Sequence, residues 1–225
     1  MDIIFEIIGV VSFAISGTIV AMKNKMDVVG TIILANITSF GGGVLRDLLL
    51  GITPPKLFTD PYYFVLVSIA TMSSIVFMLL TAILKKYSIH PGGKIFNLVL
   101  NVMDAVGLAP FCLVGVNIAI EHGHDSTFIL CVIGCIAGCG GGILRDVLAH
   151  RIPIIFQKYI YLTPCLVGVL AYVLFLDINN ALAYVVGLSV IIGGRILGIL
   201  FNINMPVIPI SESSEENSPW IRLRK

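Results

Sequence analysis

Two stretches of this 225-residue chain set an arginine and an aspartate side by side just after three glycines. They are Gly41-Gly42-Gly43-Val44-Leu45-Arg46-Asp47 and Gly140-Gly141-Gly142-Ile143-Leu144-Arg145-Asp146, 99 positions apart (140 − 41), each inside a long apolar run. Each glycine weakens a helix by about 1 kcal/mol relative to alanine, and an arginine near a bilayer centre costs roughly 3 kcal/mol or more, so stability does not explain the pattern. Glycines let a helix kink or unwind, and carbonyls freed from the i to i−4 ladder can replace part of a cation's hydration shell. Arg46, three residues beyond Gly43, can lie over the face that the glycines open, and Arg145 stands in the same relation to Gly142. Each Arg-Asp pair is neutral, which lowers the cost of burial, and the arrangement expected is an arginine of one copy facing the aspartate of the other. The plainer reading is that the pairs lock two helices together and the glycines only permit close packing.

Other polar residues in apolar surroundings extend this set. Asp104 has no basic neighbour in sequence, so it is either a cation ligand or the partner of a distant charge such as Arg195 in Gly193-Gly194-Arg195. Ser16, Thr38 and Asn101, with Asn36, Ser39 and Asn97, either line a polar path or bond neighbouring helices. No catalytic set is visible. Cys112, Cys131, Cys135, Cys139 and Cys165 lack zinc-ligand spacing, and His90, His122, His124 and His150 lie outside or at the ends of the apolar runs. The expectation is no cofactor and no bound metal.

The elements that must position these residues follow from composition. With 57% hydrophobic residues, 12% charged and a mean hydropathy of +1.02, the chain is an all-α membrane protein whose first partner is the lipid bilayer. Apolar runs at 3–22, 28–50, 62–84, 95–120, 128–148, 160–176 and 181–201 are each near the ~20 residues that cross ~30 Å, which gives seven transmembrane helices. Asp2 and Glu6 stand where a cleavable signal carries positive charge, so the first run reads as a retained helix. A net charge of +1 without a long basic run gives no sign of nucleic-acid binding.

Basic residues in the connections alternate. Lys23, Lys25, Lys85, Lys86, Lys94, Arg151, Lys158, Arg222, Arg224 and Lys225 fall on one side and Lys56 alone on the other, which puts the N-terminus outside and the C-terminus in the cytoplasm. The two motifs occupy the second and fifth spans, so the unit is three helices and its second copy enters the membrane inverted. The architecture expected is an inverted 3+3 repeat with GGG-kinked helices 2 and 5: repeat one at about 1–86, repeat two at about 94–177, and a seventh helix at about 180–203. A second, weaker match pairs 13–17 with 103–107, an offset of 90, and implies about nine residues inserted before the second motif. A flexible cytoplasmic tail at 204–225, with Trp220 among basic residues, completes the chain. Inverted repeats with interrupted helices suit secondary transporters and also suit a channel with an axial path.

With GGGVLRDLLLG and GGGILRDVL in inverted halves, the chain resembles prokaryotic members of the trimeric intracellular cation (TRIC) channel family, over about residues 1–203. It is also similar to bacterial proteins with a glycine-transporter domain. The resemblance implies a homotrimer in the plasma membrane with one pore per protomer, passing monovalent cations, chiefly potassium. Its kinked helices map onto Gly41, Gly42, Gly43 and Gly140, Gly141, Gly142, and its charged positions onto Arg46, Asp47, Arg145 and Asp146. The lysine-centred signature of animal members is absent. The rival is a carrier of a small zwitterion such as glycine, with Arg46 or Arg145 on the carboxylate and Asp104 or a motif aspartate on the ammonium.

Overall fold

The computed structural model describes residues 2–85, 93–157, 161–201 and 203. Lys86, His90, Lys158 and the tail at 204–225, with Trp220, Arg222, Arg224 and Lys225, lie outside the described residues. The described chain is helical: α1 (Asp2–Lys23), α2 (Val28–Leu49), α3 (Lys56–Thr59), α4 (Pro61–Lys85), α5 (Lys94–Glu121), α6 (Thr127–Leu148), α7 (Ile154–Gln157), α8 (Leu162–Leu176) and α9 (Asn180–Leu200). Six of these are long and apolar enough to cross a membrane. The seventh, α8, has 15 residues and is about 22 Å long, shorter than the run from 160 that the sequence suggested. Pro164 sits in its first turn, where the missing N–H has no acceptor to serve.

Local signals explain the helix starts. Asp27 accepts a hydrogen bond from the Gly30 amide at 2.7 Å at the head of α2, and Asn179 accepts one from Leu182 at 3.1 Å at the head of α9. Pro61 begins α4, where its fixed φ fits the first helical position.

The repeat is written into the backbone. α1 ends at Lys23 and α5 at Glu121, an offset of 98, whereas α2 and α6 correspond at an offset of 99. The four described residues with clearly positive φ form two related pairs, Lys25 (56°) with Gly123 (82°) and Gly51 (74°) with His150 (52°). Phe13 and Phe111 stack on each other with ring centroids 5.3 Å apart. A Cβ on Gly9 would press on the Phe111 ring, and one on Gly107 would press on Phe13. These contacts are reciprocal, so the first helices of the two repeats align at 98. The sequence match of 13–17 with 103–107 is therefore out of register, and the second repeat carries one extra residue before its motif, not nine. The extra residue lies in the link His122–Ser126, against Asn24–Asp27 in the first repeat.

α5 is the central helix, with 72% of its apolar window buried, whereas α4 shows most of its surface outward, with 22% buried. α1, α2, α5 and α6 pack on one another, and α9 lies against α8 and α5. The main core joins Val10, Phe13, Leu108, Leu113, Val169 and Ile191. The five cysteines are free thiols. Cys112, Cys135, Cys139 and Cys165 are buried as small apolar side chains between helices.

Candidate functional site

α2 and α6 cross at their glycines, backbone against backbone. A Cβ added to Gly42 would strike the Ala137 carbonyl, and one added to Gly141 would strike the Thr38 carbonyl. Gly41 faces Leu144, and Gly140 faces Leu45. Residue numbers rise along one helix as they fall along the other, so the two are antiparallel. Both helices run through their triplets without a break. The expected unwinding with release of carbonyls is thus not the arrangement present: Gly41, Gly42, Gly140 and Gly141 bring two helices together.

Gly43 and Gly142, the third glycines, do something else. A Cβ on Gly142 would meet Asp104 Oδ1 and Tyr161 Oη at 3.5 Å and Arg145 Nη2 at 3.7 Å; on Gly43 it would meet Arg46 Nη2 at 3.7 Å. Both are ordinary contacts. These positions face the charged residues and leave space beside them.

Arg46 and Arg145 each stand four residues beyond a crossing glycine, about 6 Å along the helix axis and in opposite directions. Arg145 is 1% exposed. Its Nε bonds Asp146 Oδ1 at 2.8 Å, and its Nη1 donates to Asp104 Oδ1 at 2.8 Å and to the Ser16 hydroxyl. Arg151 donates to the same Asp146 oxygen through Nη2 at 2.5 Å and Nε at 2.9 Å. Asp104 Oδ2 accepts from the Tyr161 hydroxyl at 2.7 Å and from Arg195 Nη2 at 3.3 Å. The Arg195 guanidinium also lies 3.8 Å from the centre of the Tyr161 ring. Five charged groups therefore meet here, two carboxylates and three guanidiniums.

Arg46 is 3% exposed and donates to Asp47 Oδ1 from Nε at 2.8 Å and from Nη2 at 2.6 Å. Glu6, Gly43 and Tyr63 line the same small cleft, which gives two carboxylates and one guanidinium. Neither arginine reaches across to the other motif's aspartate, contrary to the expected exchange. Each pairs with its own neighbour, because the antiparallel crossing carries the two sites apart.

Each motif aspartate has a second duty. Asp47 Oδ2 accepts the Lys56 amide at 2.9 Å, and Asp146 Oδ2 accepts the Ile154 amide at 3.0 Å. Those amides are the first of α3 and α7, so each carboxylate holds the start of the short helix that follows its own span.

Of the remaining sequence candidates, Ser16, Asp104 and Arg195 join the Arg145 site. Thr38 bonds the Leu34 carbonyl at 2.6 Å and takes part in the glycine crossing, and Ser39 bonds Val10 and Ala35. Asn36 bonds Ile32 and Thr71, and Asn97 accepts from Lys23. These bonds tie helix to helix or turn to turn. Asn101 is half-buried on α5 and joins neither charged site. Sequence reasoning missed Glu6, Tyr63, Tyr161 and Arg151 as site residues. Glu6 and Asp104 are lone acids 98 apart, as are Tyr63 and Tyr161, and that spacing was the available signal. Among the described residues, no group of three or more His, Cys, Asp or Glu side chains is placed to hold a metal ion.

The model of the family described as "Glycine transporter" matches residues 3–81 and again 101–177. The same model fits each half, with starts 98 apart, in agreement with the register of α1 and α5. The chain is 34% identical to the UPF0126 membrane protein YvgT of Bacillus subtilis, over 90% of this chain and 94% of that one. It is also 34% identical to the UPF0126 inner membrane protein YadS of Escherichia coli, over 92% and 96%. A solved TRIC cation channel superposes with a TM-score of 0.78 at 31% identity, covering 92% of this chain and 97% of that one. The chain belongs to the TRIC and glycine-transporter-domain family. Two further TRIC structures fit as well: the orthologue from Rhodobacter sphaeroides (TM-score 0.78, 28% identity, 90% and 98% covered) and a prokaryotic TRIC channel in 0.5 M KCl (0.79, 29%, 91% and 98%). The TRIC fold thus accounts for six long spans, one shorter helix and the inverted repeat, and it makes this a multi-pass membrane protein of the ion-channel class.

Proposed function

We propose that the chain assembles as a homotrimer in the plasma membrane and that each protomer carries its own potassium-permeable path between its inverted repeats. The N-terminus faces outside and the C-terminus the cytoplasm, the orientation that the distribution of basic residues favours. One observation carries the reading: two buried arginine-aspartate sites lie on opposite sides of a single glycine crossing, in a chain that aligns with TRIC cation channels over nine-tenths of its length. Ions pass beside the crossing, along the face where Gly43 and Gly142 leave room next to the charges. Arg46 and Arg145 set the barrier, since a unit charge 4 Å from a cation is worth about 4 kcal/mol at an effective dielectric near 20. Glu6, Asp47, Asp104 and Asp146 lower that barrier. No cofactor takes part.

The charged residues along this face are buried, so conduction needs the helices around them to shift relative to each other. Recording from the purified protein in planar bilayers tests the reading. The expected result is discrete picoampere steps that reverse near the potassium equilibrium potential under a KCl gradient. Saturable glycine uptake into proteoliposomes without steps would replace the channel with a carrier.

A further inference from the structure

Arg195 comes from α9, which stands outside the repeat, yet its guanidinium is fully buried in the Arg145 site. Two of its three nitrogens, Nε and Nη1, are buried with no hydrogen-bond partner. The third reaches Asp104 Oδ2 at 3.3 Å, longer than the 2.7–2.9 Å usual for a charge-assisted bond. Arg145, by contrast, is held by Asp104, Asp146 and Ser16 together. Buried guanidinium protons without acceptors are costly, so Arg195, held otherwise by the face of the Tyr161 ring, is the charge in the cluster with the fewest hydrogen bonds. α9 packs chiefly on α8 and α5, and the α2–α6 crossing does not depend on it.

We infer that Arg195 is a positioning residue that sets the charge of this site: while seated it neutralises Asp104, and when α9 withdraws it, Asp104 Oδ2 is free to take a monovalent cation. Arg145 stays on Oδ1 and the Tyr161 hydroxyl still donates to Oδ2, so the freed carboxylate keeps its orientation. The site then passes from two carboxylates with three guanidiniums to two with two. The inference deepens the channel reading and rests on it. Among the described residues the Arg46 site holds a single guanidinium and receives none from a helix outside the repeat, so only one end of the path carries the control.

The experiment is single-channel recording in KCl of the wild-type protein, Arg195→Gln, Arg195→Lys and the double variant Arg195→Gln with Asp104→Asn. Loss of one hydrogen bond to a charged group should raise the open-to-closed ratio of Arg195→Gln by about tenfold. Arg195→Lys keeps a cation beside Asp104 and should return the ratio toward that of the wild type. The double variant should lose the gain, because the carboxylate that receives the ion is gone. Size-exclusion profiles and melting temperatures in detergent accompany each recording. If Arg195→Gln elutes as the wild type does and gates as it does, the inference fails and the channel reading stands. If the wild type gives no steps, both fail. If Arg195→Gln does not fold, Asp104→Asn decides alone: an open-to-closed ratio below that of the wild type supports a carboxylate that receives the ion once Arg195 leaves it, and an unchanged ratio overturns the inference.

Discussion

The Arg46 and Arg145 sites grew from one ancestral pattern, share a glycine triplet, an Arg-Asp pair, a lone acid and a tyrosine, and differ in charge. The first holds two carboxylates and one guanidinium; the second holds two and three. Backbone geometry is nearly the same in both, down to the aspartate that caps a short helix and the left-handed residues at the connections. The difference comes from Arg151, after the second motif, and from Arg195 on the helix outside the repeat. Duplication thus fixed a symmetric frame, and single basic residues made its two ends unlike.

That comparison can be broken most forcefully at the arginines. Arg46→Ala leaves Glu6 and Asp47 in one cleft with no guanidinium, and the loss should be about 3–5 kcal/mol. Arg145→Ala leaves Asp146 with Arg151 and Asp104 with Arg195, so its loss should be smaller, about 1–3 kcal/mol, although Arg145 makes more contacts. Thermal unfolding of the two variants in detergent ranks them. Adding Glu6→Gln to Arg46→Ala should restore part of the stability, and no restoration would show that charge balance is not what separates the sites.

The glycine crossing should behave alike from both sides. Gly42→Ala and Gly141→Ala each push a methyl group into a carbonyl of the other helix and should cost a similar amount, about 1–3 kcal/mol. Gly43→Ala and Gly142→Ala meet only ordinary contacts. They should leave stability unchanged or raise it by up to about 1 kcal/mol, while reducing potassium current by narrowing the space beside the arginines. Current that survives both alanines intact would move the path elsewhere. The smallest effect expected is that of Arg151→Gln, under about 1 kcal/mol, since this arginine is partly exposed and its pair with Asp146 is screened by salt. Melting temperatures at low and high KCl measure it.

The parts of this frame that were legible in the sequence are those with period and length. Apolar runs gave the spans, and the nine-residue motif gave the duplication and its inversion. The register of the first helices was misread, because the match of 13–17 with 103–107 rests on small and apolar residues that occur throughout such helices. The reciprocal contacts of Gly9 with Phe111 and Gly107 with Phe13 exist only once the helices are packed. Within the site, Asp104, Arg145 and Arg195 could be nominated because charge in an apolar run is costly wherever it lies, and Ser16 as a polar residue in the same surroundings. The partner of Arg46 could not, since neighbouring side chains on a helix point about 100° apart, and the long guanidinium folds back to Asp47 all the same. Nor could the second bonds of Asp47 and Asp146, whose donors are backbone amides of Lys56 and Ile154 and carry no side-chain signature.

The central claim is that the two unlike sites lie on one potassium path. Single-channel recording of Arg46→Gln and Arg145→Gln in the same KCl solution tests it directly. Both substitutions should change the unitary conductance of the same channel, Arg46→Gln more, because it leaves its end of the path with carboxylates alone. A folded variant of either kind whose unitary conductance equals that of the wild type would contradict the claim.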